Sequence, residues 1–111
     1  LRDSIEAAKA AGAVLSSTKI CGGGARSPLW RSIIANVTGL TVERVESEQG
    51  PALGAAMLAA VGCGCFSSVD SAAKAVVRVT DKTLPDAEIL SQYEKKYNKF
   101  RQLYPALKEL F

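Results

Sequence analysis

The 111-residue sequence predicts an α/β fold with few strands and several helices, and three observations carry that prediction. Two short runs rich in β-formers stand at 18–21 and 41–45. Apolar residues recur at helical spacing between and after them. A glycine triplet, Gly22-Gly23-Gly24, separates the first strand from the helix that follows. Alternation of this kind argues for a sheet covered by helices. Two strands are too few for a stable sheet, so more strands are expected upstream of Leu1, in a longer polypeptide of which this is a part.

The elements follow in order. Leu1, Ile5, Ala8 and Gly12 lie at helical spacing, with Gly12 ending the helix. The strand at 18–21 runs into the glycines. Ser27-Pro28 is a helix start, a hydroxyl cap followed by proline at the first helical position. Leu29, Ile33 and Val37 form that helix's apolar stripe, with Trp30 and Ile34 beside it, and Gly39 stops it. After the strand at 41–45, Gly50-Pro51 opens an Ala-rich helix over 49–62. A third amphipathic piece spans 67–77, with Ser67 and Asp70 at capping-box spacing. From Arg78 the chain reads as extended or loop. Pro85-Asp86 begins a long final helix carrying Tyr93, Tyr97, Phe100 and Tyr104, a stripe that reads as a docking face. Pro105 is expected to interrupt it before a last apolar turn ending in Phe111.

Composition and charge exclude several classes of function. Residues 1–91 carry nine Lys/Arg and nine Asp/Glu, so the net charge of +3 sits wholly in the final helix. No nucleic-acid motif accompanies it, and no nucleic-acid partner is expected. The twenty residues from Gly50 to Val69 carry no charged side chain. Their alanines, glycines and small polar groups lack the hydrophobicity of a membrane span, so this helix is read as buried core and no membrane contact is expected. Cys21, Cys63 and Cys65 form no secreted disulfide pattern and read as buried or semi-buried free thiols of a reducing cytosol. With no histidine in the chain, Ser/His and Cys/His catalysis and a Cys/His zinc site are absent from these residues.

The glycine triplet is the candidate site. Glycine in series is entropically costly, and by itself the triplet leaves two readings: a structural turn, or bare main chain that a ligand approaches. Free N–H groups before a helix suit a phosphate or a flat heterocycle. The dinucleotide pattern G-x-G-x-x-G fails at Ser27, and the Gly-Lys-Ser/Thr of a Walker loop is missing.

Taken together, "GGGARSPLWR", then "QGPALGAAMLAAVG", then "YEKKYNKFRQLYPALKELF" resemble the C-terminal end of the FGGY carbohydrate kinases over essentially all 111 residues. The resemblance implies a ribonuclease-H-like fold of the actin and hexokinase type. Residues 1–111 would be the C-terminal part of its second, nucleotide-binding domain, with 1–84 an α/β portion and 85–111 docking helices. It implies a cytoplasmic, ATP-dependent kinase of a pentulose, the sugar being held mainly by a first domain outside this chain. Related members acting on ribulose, gluconate or glycerol are the nearest alternatives, and a non-catalytic nucleotide-binding module is the more distant one. Gly22, Gly23, Gly24, Ala25 and Ser27 match the segment lying against the nucleotide, with Gly23 and Gly24 as backbone contacts and Ser27 better read as a cap. Ala52 to Ala56 match a helix packed tightly under the same cleft. ADP is the implied product; Mg²⁺ and the aspartate that deprotonates the sugar belong outside this chain, so no catalytic or metal-binding residue is expected within it. The missing strands would leave apolar surface, which a homodimer of the isolated piece would cover.

Overall fold

A computed structural model describes residues 1–110. Its elements are α1 (Arg2–Ala10), β1 (Ser17–Ile20), a 3₁₀ turn (Gly23–Arg26), α2 (Pro28–Thr38) and β2 (Thr41–Val45). They continue with α3 (Gly50–Gly62), α4 (Val69–Val76), β3 (Val79–Thr83), α5 (Ala87–Leu107) and a closing 3₁₀ turn (Lys108–Leu110). Phe111 lies outside the described residues.

The sheet has the order β1-β2-β3, with β1 parallel to β2 and β3 antiparallel to it. β1, α2 and β2 form a parallel crossover unit, which leaves β2 central and its Val42 fully buried. A third strand was not expected from the sequence. Its residues, VTDKT, lack an apolar alternation, and its pairing is supplied by partners far away in the chain. Lys82 pairs with Glu43 at 2.8 Å, and Lys19 of β1 reaches the same carboxylate at 3.2 Å. Glu43 thus spans all three strands, in register with Lys19 and Lys82. Both ammonium groups, Lys82 foremost, hold its carboxyl below the usual range.

Local signals place most helix ends. Ser27 caps α2, its Oγ accepting from the Trp30 amide at 3.2 Å, and Gly39 ends it in the left-handed region at φ 71°. Asp86 caps α5 by accepting from the amides of Glu88 and Ile89. The capping box of α4 lies one residue beyond the predicted pair, between Ser68 and Ser71. Ser71 supplies the reciprocal hydroxyl that the expectation had assigned to an acid. Pro105 does not interrupt α5. It falls in the last turn of an exposed segment, where water can serve the carbonyl its missing N–H leaves free.

Packing departs from the predicted faces in two places. The buried side of α2 is Arg31, Ala35, Asn36 and Thr38, whereas Leu29 is exposed and Trp30 is 50% exposed. Polar groups occupy that face because each is satisfied: the Thr38 hydroxyl donates to the Ile34 carbonyl, and the Asn36 Oδ1 accepts from the Asp86 amide, both at 2.7 Å. The second correction concerns α3. It was expected to be buried core, yet none of its residues is buried and Leu58 is 63% exposed.

The aromatic stripe of α5 docks through its first half. Tyr97 donates to Asp3 and carries the Arg2 guanidinium 4.1 Å above its ring, while Arg2 also pairs with Glu94. These contacts tie α1 to α5; Phe100 and Tyr104 further along are exposed. The radius of gyration is 17.4 Å, against about 13 Å for a compact globule of this length. Among the described residues five apolar side chains, Ala25, Ala35, Leu40, Val42 and Ala72, are buried. So small a core in so extended a body suits a portion of a larger globule. No helix among the described residues is long and apolar enough to cross a membrane.

Candidate functional site

The chain leaves β1, passes Cys21, which like Cys63 and Cys65 is exposed rather than buried as expected, and reverses at Gly22 with φ 82°, a left-handed value that side chains resist. Gly23–Arg26 form the 3₁₀ turn, closed by hydrogen bonds from Ala25 N–H to Gly22 O and from Ser27 N–H to Gly24 O. The amides of Gly23 and Gly24, first in the turn, donate to no other group among the described residues.

The three glycines differ. Gly22 is required by its φ. Gly24 lies close against Trp30: a Cβ there would stand 3.1 Å from the indole Cδ1 and 3.2 Å from Nε1, so the half-exposed indole would have to give by a few tenths of an ångström. Gly23 has neither reason, since its φ is not left-handed and a Cβ would meet nothing within 4 Å. Its bareness faces open space.

Three contacts hold the turn from behind. Arg31 of α2, 6% exposed, donates from Nη1 to the Ala25 carbonyl at 2.7 Å and from Nη2 to Asp81 Oδ2 of β3 at 2.6 Å. Weaker bonds reach Arg26 O and Thr83 Oγ1, both at 3.4 Å. Arg26 forms a two-pronged pair with Glu48, one prong at 2.7 Å, which fastens the turn to the loop before α3. The pairing raises the Arg26 guanidinium and lowers the Glu48 carboxyl from their ordinary values, the hydrogen bond between them being the main cause in each. The start of α3 then abuts Cys21, where a Cβ on Gly50 would fall 2.6 Å from Sγ.

The two arginines that contact the turn each pair with a carboxylate, Arg26 with Glu48 and Arg31 with Asp81. Arg44 adds a further positive charge close enough to act on Glu48.

Of the residues singled out from the sequence, Gly22, Gly23 and Gly24 line the outer side of the turn. Ala25 is buried, with its N–H and carbonyl both used internally, so it shapes the turn from within. Ser27 spends its acceptor on the α2 cap. Gly54, in the segment expected to pack tightly, has no atom within 4 Å of where a Cβ would stand. Sequence reasoning missed Arg31, Asp81, Glu48 and the Trp30–Gly24 contact. An arginine one residue past the turn's tryptophan was the available signal, but its partner lies 50 residues away. Among the described residues no cluster of three or more His, Cys, Asp or Glu is arranged to hold a metal ion.

Comparison with known proteins bears on this geometry. Residues 1–63 match the C-terminal domain of the FGGY family of carbohydrate kinases. The chain belongs to this family. It is 34% identical to a xylulose kinase of Staphylococcus epidermidis over 110 residues, covering 99% of this chain and 22% of that protein. An autoinducer-2 kinase of Yersinia pestis is 32% identical over 97 residues, covering 87% of this chain and 18% of its own length. Among solved structures, a kinase from Brucella ovis described as a xyloylose kinase superposes with a TM-score of 0.83 at 29% identity, over 99% of this chain and 22% of that one. The xylulose kinase of Rhodospirillum rubrum superposes at 0.80 and 30% identity, over 98% and 22%. The chain therefore spans about a fifth of the length of these relatives and shares their actin- and hexokinase-like fold.

Proposed function

We propose that this chain is the C-terminal part of the nucleotide-binding domain of an ATP-dependent xylulose kinase, converting D-xylulose and ATP to D-xylulose 5-phosphate and ADP. The observation that carries the reading is Gly23: a glycine that neither its own dihedrals nor any described neighbour requires, on a turn whose first two amides, Gly23 and Gly24, donate to no group among the described residues. Adenosine rests there, on Gly23 and Gly24, with Gly22 setting the reversal.

Catalysis is assigned to chain beyond these residues. Each aspartate here already has a structural partner: Asp3 accepts from Tyr97, Asp70 pairs with Lys74, Asp81 with Arg31, and Asp86 caps α5. An aspartate elsewhere would take the sugar proton, and Mg²⁺, held by residues outside this chain, would supply the positive charge that offsets the phosphates. The reading of xylulose as substrate is supported by the xylulose kinases of Staphylococcus epidermidis and Bacillus subtilis, each 34% identical over 99% of this chain.

The test is Gly23→Val in a complete kinase carrying these residues, with ADP and D-xylulose binding measured separately by calorimetry. A Cβ at Gly23 meets none of the described residues within 4 Å, so folding should be preserved, which the unfolding midpoint checks. ADP should bind at least about tenfold more weakly, with the sugar unaffected. Unchanged ADP affinity would remove the nucleotide from this turn. Turnover on D-xylulose compared with ribulose, gluconate and glycerol tests the sugar assignment, which fails if another of them is preferred.

A further inference from the structure

We infer that Arg31 is the positioning residue of the nucleotide seat, setting the affinity for the adenosine moiety without touching it. The inference rests on the reading of the turn as that seat. Ala25 is buried, and a buried carbonyl needs a donor; the Arg31 Nη1 supplies it at 2.7 Å. The same guanidinium reaches the Arg26 carbonyl at 3.4 Å, so two successive carbonyls of the turn converge on one nitrogen. Its other end is anchored on β3, to Asp81 at 2.6 Å and Thr83 at 3.4 Å. A planar fork with fixed donors suits this double duty, whereas an ammonium is a single point charge.

The consequence for the ligand is geometric. The Ala25 carbonyl belongs to the peptide linking Ala25 to Arg26, inside a turn of four residues. Without its donor that peptide plane is free to rotate toward water, and the Gly23 and Gly24 amides of so short a turn move with it. A ligand held by main chain depends on such pre-organisation. Asp81 serves differently: it neutralises the buried guanidinium and fixes its outer end, but makes no contact with the turn.

The experiment compares Arg31→Met, Arg31→Lys and Asp81→Asn with Gly23→Val in the complete kinase, reading ADP and D-xylulose affinities by calorimetry alongside the unfolding midpoint. Arg31→Met should weaken ADP by at least about tenfold, the factor carried by one charge-assisted hydrogen bond, and leave D-xylulose unaffected. Arg31→Lys should recover part of the loss. Asp81→Asn should lower the unfolding midpoint with a smaller change in ADP affinity. A purely structural role predicts the reverse, a lowered midpoint with wild-type ADP binding in both Arg31 variants, and that result overturns the inference. Should Arg31→Met not fold, Arg31→Lys decides alone: ADP weakened with the sugar unaffected supports the role, and unchanged ADP affinity ends it. If Gly23→Val weakens ADP and the Arg31 variants do not, only this inference falls. If Gly23→Val also leaves ADP unchanged, the underlying reading falls with it.

Discussion

The sulfur of Cys21 stands 2.6 Å from the point where a Cβ on Gly50 would be built. This single clearance lets the first residue of α3 approach the strand end that leads into the glycine turn. Gly50→Ala should therefore force Cys21 to rotate or α3 to shift, at a cost of about 1 kcal/mol, the low end for overpacking because Cys21 is exposed. In a Cys21→Ala background the remaining Cβ is 3.9 Å away, an ordinary contact, and most of the loss should vanish. Unfolding midpoints of the four proteins in the double-mutant cycle measure the coupling. Additive effects would show that the two residues do not meet.

Glu43 joins Lys19, on one side, to Lys82, on the other, and its carboxyl is held below its usual range. A lowered folded value means that the ionised form stabilises the fold. That contribution is fully present above the unfolded value of about 4.3 and is lost as the pH falls through the lower, folded one. Glu43→Gln should thus lower the unfolding midpoint at neutral pH, with the gap to the wild type closing in acid. A gap that stays constant with pH would contradict the ladder.

Cys63 and Cys65 place their sulfurs 3.3 Å apart in an exposed turn after α3. The hydrogen bond from Cys65 lowers the Cys63 thiol below its ordinary value, so more of it is thiolate near neutral pH. Iodoacetamide labelling followed by peptide mass spectrometry should show Cys63 reacting faster in the wild type than in Cys65→Ala. The difference should shrink above the ordinary thiol value of about 8.5, where the thiol is mostly ionised in either protein. Equal rates near neutral pH would mean that the contact does not persist in solution.

Much of the fold is legible because it is decided within a few residues. The turn at Gly22, the Ser27 cap, the Gly39 stop and the Asp86 start each arise from backbone conformation or a hydrogen bond between near neighbours. Elements whose stability comes from distant partners were not legible in this way. β3 is recognisable through Asp81 meeting Arg31 and Lys82 meeting Glu43, not through any alternation of its own. The α2 face was misassigned for a related reason: Arg31, Asn36 and Thr38 are buried because each finds its hydrogen bonds there, which a hydropathy stripe cannot register. The candidate site divides likewise: the glycine triplet is conspicuous in the sequence, while Arg31, which bonds the turn's main chain, is not.

Local chain chemistry thus sufficed to specify where helices and turns begin and end, and the combination of its motifs pointed to the kinase family. Folding in three dimensions distinguished four of the glycines: Gly22 by its dihedral, Gly24 by a close indole, Gly50 by a sulfur, and Gly23 by having no described residue within 4 Å of where a Cβ would stand. The reason is one of range. Dihedral preferences and caps act over three or four bonded neighbours, whereas clearances and buried ion pairs join residues that only the completed fold brings together.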